Sequence, residues 1–286
     1  MNVSSALLRK ALFGCALSAT ALSTLGLAGR ADAAGPSLSG RVIDDATGVP
    51  LVGATVVASD ALLDGAPNKA QAVATTDATG SFVLTGLPSD PKFFVQIFAA
   101  DTHAAVRRTV DATSASADLA LVRVVMPTAT EQSWLDLMNG QRKKYGLSPL
   151  RFEDSALRAA RRWAQFQSQH NVLEHEVPGA TDASGISLAT PVDRYRNHGG
   201  PSDEVGLAEN IAQLGVGSFA EAQRLWFDER RACGTTPVAG CTNEGAGHFL
   251  NIVDPKARFV GLGMASGKGG SFYDALFVDS ADEARS

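Results

Sequence analysis

The chain has 286 residues, enough for two domains at roughly 100–200 residues apiece. Apolar residues make up 45% of it and charged residues 19%, which excludes a disordered chain, a collagen and a polytopic membrane protein. The net charge is −5 and no block of basic residues interrupts it, so nucleic acid is not an expected partner.

Residues 1–33 stand apart. Arg9 and Lys10 precede an uncharged run from Ala11 to Gly29, and Ala31-Asp32-Ala33 follows. A basic start, an apolar middle and an A-x-A site make a secretory signal peptide cut after Ala33. An uncleaved anchor is the alternative, because 19 residues nearly span a bilayer. Against it, the strongly apolar members are Leu12, Phe13, Leu17, Leu22, Leu25 and Leu27, set among Ala, Ser, Thr and Gly. A lipoprotein cut at Cys15 fares worse, since almost no apolar stretch separates Lys10 from it. The expectation is an exported chain, secreted or periplasmic, with no membrane span after cleavage and a net charge of −7. The excess of Arg (18) over Lys (7) points to a bacterial, GC-rich source. Cleavage leaves two cysteines, Cys233 and Cys241, which read in an exported chain as one disulfide closing a small loop. A cysteine zinc site would need more ligands than the neighbourhood holds.

Residues 36–127 read as an all-β domain. Seven short segments rich in β-branched or apolar residues are expected as strands: 38–43, 54–58, 70–76, 81–87, 93–99, 105–110 and 118–125. Turn chemistry separates them at Asp45-Ala46-Thr47-Gly48, Asp77-Ala78-Thr79-Gly80 and Pro88-Ser89-Asp90-Pro91. The count and spacing suggest a β-sandwich. His103 reads as a solvated loop residue. After Pro127 the period changes. Helices are expected over 131–145, over 155–170, over 206–213, and from the Ser218-x-x-Glu221 capping box to about Arg230. Strands are expected over 259–265 and 272–278, joined through Gly267-Lys268-Gly269-Gly270. Helices followed by strands suggest an α-β-α layered domain over residues 129–280, with 281–286 as a tail.

Several chemical motifs fail. His175-Glu176 begins like HExxH, but position 179 is Gly. Gly267-Lys268 lacks the rest of a phosphate loop, and Gly261-Leu262-Gly263 sits in a strand pattern. No Gly-x-Ser-x-Gly elbow is present, and no Ser, Thr or Cys stands where its hydroxyl or thiol would be activated.

Two resemblances remain. Gly40-Arg41-Val42-Ile43, Val49-Pro50-Leu51-Val52-Gly53-Ala54-Thr55-Val56 and Thr76-Asp77-Ala78-Thr79-Gly80-Ser81-Phe82 resemble the carboxypeptidase regulatory-like domains, which implies a small transthyretin-like sandwich used as a spacer or adhesion module. Further on come, in order, Asn139-Gly140-Gln141-Arg142, Leu150, His175, Ala208-Glu209-Asn210-Ile211, Trp226-Phe227-Asp228-Glu229, Gly247-His248-Phe249-Leu250-Asn251-Ile252 and Phe259-Val260-Gly261-Leu262-Gly263. That ordered set resembles the CAP superfamily of cysteine-rich secretory, antigen 5 and pathogenesis-related proteins, over about residues 130–280. The resemblance implies a cleft in which His175, Glu209, Glu229 and His248 converge, with His170 as a competitor for the first position. Ala208 stands where the family has Gly.

The implied chemistry is a divalent cation, zinc first, held by His175 and His248, with Glu209 and Glu229 as ligands or as partners of a bound water. The alternative is a hydrogen-bonded His/Glu network that holds the layers together. The leading functional expectation is a binding protein, non-enzymatic or weakly enzymatic, for an extracellular small molecule, lipid or peptide, with the sandwich placing it near a cell-surface partner. The competing expectations are a metal-assisted secreted peptidase in which Glu209 or Glu229 is catalytic and activates water, and an adhesin that works through the sandwich surfaces.

Overall fold

A computed structural model of the chain describes residues 37–61, 63, 70–99, 105–111, 119–201 and 206–279. The expected signal peptide, Cys15, His103 and the tail lie outside the described residues.

The seven expected strands all form, each close to its expected bounds. They are β1 (Ser37–Asp44), β2 (Thr55–Ser59), β3 (Ala72–Thr75), β4 (Ser81–Thr85), β5 (Lys92–Phe98), β6 (Ala105–Asp111) and β7 (Val122–Val124). They make two sheets, ordered β4-β1-β7 and β3-β2-β5-β6. Val42, Val56, Phe82, Leu84, Phe93, Val95 and Ile97 fill the space within this β-rich region. The turns form as their residues dictate. Asp77 Oδ1 accepts the Thr79 and Ser81 N–H groups (2.8 and 3.0 Å), and Gly80 takes the positive φ that the turn requires.

The C-terminal part runs α1 (Ala129–Lys144), β8 (Arg151–Phe152), α2 (Asp154–His170), α3 (Pro191–Asn197), β9 (Leu207–Leu214), α4 (Phe219–Asp228), α5 (Gly247–Ile252), β10 (Ala257–Gly267) and β11 (Gly270–Asp279). Helix starts are capped by sequence. Thr128 and Glu131 form a reciprocal box at α1, and the Glu221 carboxylate accepts the Ser218 N–H (2.9 Å) at α4. Four strands form one sheet in the order β8-β10-β11-β9.

Two glycines explain how closely α2 lies on that sheet. A Cβ at Gly261 would come within 2.0 Å of the Ala156 backbone, and one at Gly263 within 2.3 Å of the Ala160 carbonyl oxygen. The spaced Gly-x-Gly therefore makes room for a helix. Phe259, Leu276 and Val278 share this face with Ala156, Ala159 and Ala160. On the other face Val260, Leu262, Tyr273 and Phe277 join Trp134, Phe219, Trp226 and Phe249. Trp134 stacks on Phe219 with ring centroids 4.1 Å apart, and Phe219 meets Trp226 edge-on. Burial of each such ring is worth about 2–3 kcal/mol.

One expected element is overturned. Residues 206–213 are a strand, not a helix: β9 pairs antiparallel with β11 from Leu207↔Val278 to Leu214↔Ser271. Glu209, Asn210, Ile211 and Ala212 are all buried, so the segment lacks the alternation that marks a one-sided strand. Helices α3 and α5 were not foreseen. The first is signalled by Thr190 as N-cap with Pro191 at N1.

The β-rich region and α2 meet at a charged seam. Arg158 donates to Asp154 (3.0 Å), Asp45 (2.7 Å) and the Arg123 carbonyl (3.2 Å), while the Val125 N–H donates to Asp154. Asp154 therefore fixes the linker to the start of α2.

Candidate functional site: two histidine–glutamate pairs beside one strand

The strand over Leu207–Leu214 positions the site. Neighbouring residues of a strand point to opposite faces. Glu209 turns to the face covered by α2 and α3, and Asn210 to the face carrying α5.

Glu209 meets His175 and Arg194. The His175 Nδ1 lies 2.9 Å from Glu209 Oε2, and Arg194 Nη2 donates to Glu209 Oε1. His175 sits after α2, on a segment pinned through its backbone. The Glu174 carbonyl accepts from Trp163 Nε1 and Gln167 Nε2 (both 3.2 Å), and the His175 carbonyl accepts from Arg194 Nη2 (3.1 Å). Arg194 lies across the Trp163 ring, 3.9 Å from its centroid, and also donates to the Leu188 carbonyl. His170, the competitor, is engaged elsewhere. Its ring stacks on Phe166 and its Nδ1 approaches the Phe166 carbonyl (3.0 Å).

Glu229 follows α4 and meets His248 at the start of α5. Its Oε1 lies 2.6 Å from His248 Nδ1, and its Oε2 accepts the His248 N–H (2.9 Å) and the Phe249 N–H (3.4 Å). Glu229 thus pairs with the imidazole and also caps a short helix whose first N–H groups have no internal partner. The two pairs are joined through asparagines. Asn210 Nδ2 donates to the His248 carbonyl (2.9 Å), and Asn251 Nδ2 donates to Asn210 Oδ1 (2.9 Å). The structure therefore couples His175 to Glu209 and His248 to Glu229. It does not gather them further: among the described residues no group of three or more His, Cys, Asp and Glu side chains could hold a metal.

The pairing fixes the tautomer. A carboxylate can only accept, so each Nδ1 carries a proton, and in the neutral ring it is Nε2 that keeps the lone pair. A histidine oriented by a carboxylate in this way is a good nitrogen ligand. The side chains of His175 and His248 are 49% and 32% exposed, so both rings are reachable from solvent. Each ring is by its chemistry a nitrogen donor of the kind that zinc-like cations take.

Two buried ionisable groups absent from the sequence reading lie beside the first pair. Arg194 is one. The other is Asp274 of β11, whose carboxyl is pushed well above the ordinary carboxylate range by burial and then by the negative charge of Glu209, with Arg194 opposing. A charged residue in the middle of the apolar run Phe272–Val278 was the signal for it.

Cys233 and Cys241 form the expected disulfide, eight positions apart, in the chain between Glu229 and His248. Closing a loop of that size stabilises by about 2 kcal/mol. Replacing both cysteines with serine is expected to cost that much. Amide exchange at His248 and Phe249 should speed up, while Val56 and Ile97 keep their protection. Uniform loss of protection across both parts would contradict this placement.

The chain was compared with known proteins. Residues 135–278 match the model of the Cysteine-rich secretory protein family, and residues 37–125 match that of the Carboxypeptidase regulatory-like domain. The uncharacterized protein YkwD of Bacillus subtilis (strain 168) is 24% identical over 151 residues, 53% of this chain and 48% of that protein. The chain thus spans about half the length of the curated relative it matches. Among solved structures, an extracellular protein containing a SCP domain from Bacillus anthracis str. Ames is 16% identical, with a TM-score of 0.37, covering 73% of this chain and 57% of that one. An outer surface protein of Borrelia burgdorferi is 15% identical, with a TM-score of 0.38, covering 53% of this chain and 92% of that one. With its model matched over half of the sequence and the ordered motifs placed on one sheet and its helices, the chain belongs to the cysteine-rich secretory protein, or CAP, family.

Proposed function

We propose that this is an exported binding protein whose His175 and His248 hold one divalent cation, zinc first, at the mouth of a cleft for an extracellular small molecule, lipid or peptide. The observation that carries the reading is the pair of Nδ1–carboxylate contacts, which leave two oriented Nε2 lone pairs on partly exposed rings. A bound cation would supply a positive centre that polarises a ligand oxygen or a water. Neither glutamate suits the role of general base. Glu209 commits one oxygen to Arg194 and the other to His175, and Glu229 commits its two to His248 Nδ1 and to the start of α5. This favours binding over the peptidase reading.

The finer architecture belongs to the same proposal. The β-rich region is read as a transthyretin-like sandwich acting as spacer or adhesion module, and the CAP part as an α-β-α sandwich. No helix among the described residues is long and apolar enough to cross a membrane.

Calorimetric titration of the metal-free chain with zinc tests the proposal. One equivalent is expected to bind, and the His175→Ala/His248→Ala double variant should bind none. Equal binding by both proteins, or none by the wild type, would move the four residues to a structural network.

A further inference from the structure

Asp274 lies in the middle of β11, opposite Ile211 of β9 and Gly263 of β10. It is fully buried, and neither carboxyl oxygen has a hydrogen-bond partner among the described residues. A carboxylate ionised there would give up its hydration without compensation. Arg194, equally buried, commits Nη1 to Leu188 O and Nη2 to His175 O and Glu209, while its Nε has no partner among the described residues. The charged groups acting on Asp274 are Glu209 from β9 and Arg194 from α3. On this side of the sheet α2 contributes Ala156, Ala159, Ala160 and Trp163, and β10 contributes Phe259 and Gly263, none of them titratable, while α3 adds the buried phenol of Tyr195.

We propose that Asp274 is a positioning residue, held as a neutral carboxylic acid so that Arg194 stays undivided on Glu209 and Glu209 stays on the His175 ring. When Asp274 ionises, two carboxylates share one guanidinium whose Nε–H is unclaimed, and the contact between Glu209 and His175 loosens. The proposal rests on the His175–Glu209 pair of the proposed site and needs no cation bound there.

The sign of the pH dependence follows from burial. The folded chain keeps the Asp274 proton above 3.8, its ordinary pKa, where the unfolded chain has lost it. The stability contributed by this proton is therefore full below about pH 4 and falls as the pH rises towards the folded value.

The test uses the full chain in chelator, so that metal plays no part. The carboxyl 13C resonance of Asp274, assigned by its absence in Asp274→Asn, is expected to report a protonated group at pH 7. The ratio of unfolding constants, wild type over D274N, should climb by up to about tenfold per pH unit above pH 4 and then level off. The His175 ring signals should step at the pH where the Asp274 resonance moves, and that step should be missing in D274N. An ionised Asp274 at pH 7, a ratio flat with pH, or a step that persists in D274N overturns the proposal. If D274N does not fold, the wild-type carboxyl resonance, assigned through the Asp274 backbone by triple-resonance spectra, decides. A failure to bind zinc leaves these outcomes unchanged, so the two readings fail separately.

Discussion

Replacing Arg142 with methionine is expected to cost about 4 kcal/mol of folding free energy, a large loss for a single substitution. The side chain is completely buried in the last turn of α1. It donates to the carbonyls of Ser148 (2.9 Å), Ile252 (2.7 Å), Asp254 (2.9 Å) and Ala257 (3.1 Å). Burial draws its pKa down to about 10, which leaves it charged at neutral pH. Methionine fills similar space but leaves these carbonyls without a donor, and an unmade buried hydrogen bond costs more than a made one contributes. Three of the four carbonyls, those of Ile252, Asp254 and Ala257, belong to the end of α5 and the entry to β10, so the loss should be felt at His248 as well. Urea unfolding followed by tryptophan fluorescence measures it. A cost below about 1 kcal/mol would mean that Arg142 does not hold these segments together.

The two glutamates of the site should behave unequally. Glu209→Ala is expected to cost about 4 kcal/mol, because it strips the anionic partner from a guanidinium with no exposure. Glu229→Ala should cost about 1–2 kcal/mol, the value of a helix cap on a side chain that is 27% exposed. The asymmetry separates their roles: Glu209 neutralises the interior and Glu229 sets a helix and a ring. Equal costs in the same urea experiment would contradict it.

The legible part of the chain was the part with one kind of burial. The strands of the β-rich region stood out because turn residues bound each of them, and α1, α2 and α4 because one face of each is apolar. The strand β9 was hidden because helices cover both its faces. Its buried run Glu209-Asn210-Ile211-Ala212 then carries no period-2 signal, and the small apolar spacing looked helical. His175, Glu209, Glu229 and His248 came from the order of family motifs, since nothing in their spacing links them. The partners are 34 and 19 residues apart, and each pairing is a product of the sheet register and the start of α5. Arg194 and Asp274 were missed for the opposite reason. Arg194 looks like an ordinary surface charge in the sequence, Asp274 stands inside an apolar run, and the fold buries both. The Asn139-Gly140-Gln141-Arg142 motif was noticed, but its use was not. Asn139 bonds both ways with the Leu150 backbone (3.0 and 2.7 Å), and Arg142 gathers the carbonyls named above.

The most direct test of the central claim is anomalous diffraction at the zinc edge from crystals grown with zinc. The account predicts one peak within about 2.0–2.1 Å of Nε2 of both His175 and His248, with each Nδ1 still on its glutamate. A peak bound to one histidine alone, or to Glu209 or Glu229 in place of the imidazoles, would contradict it.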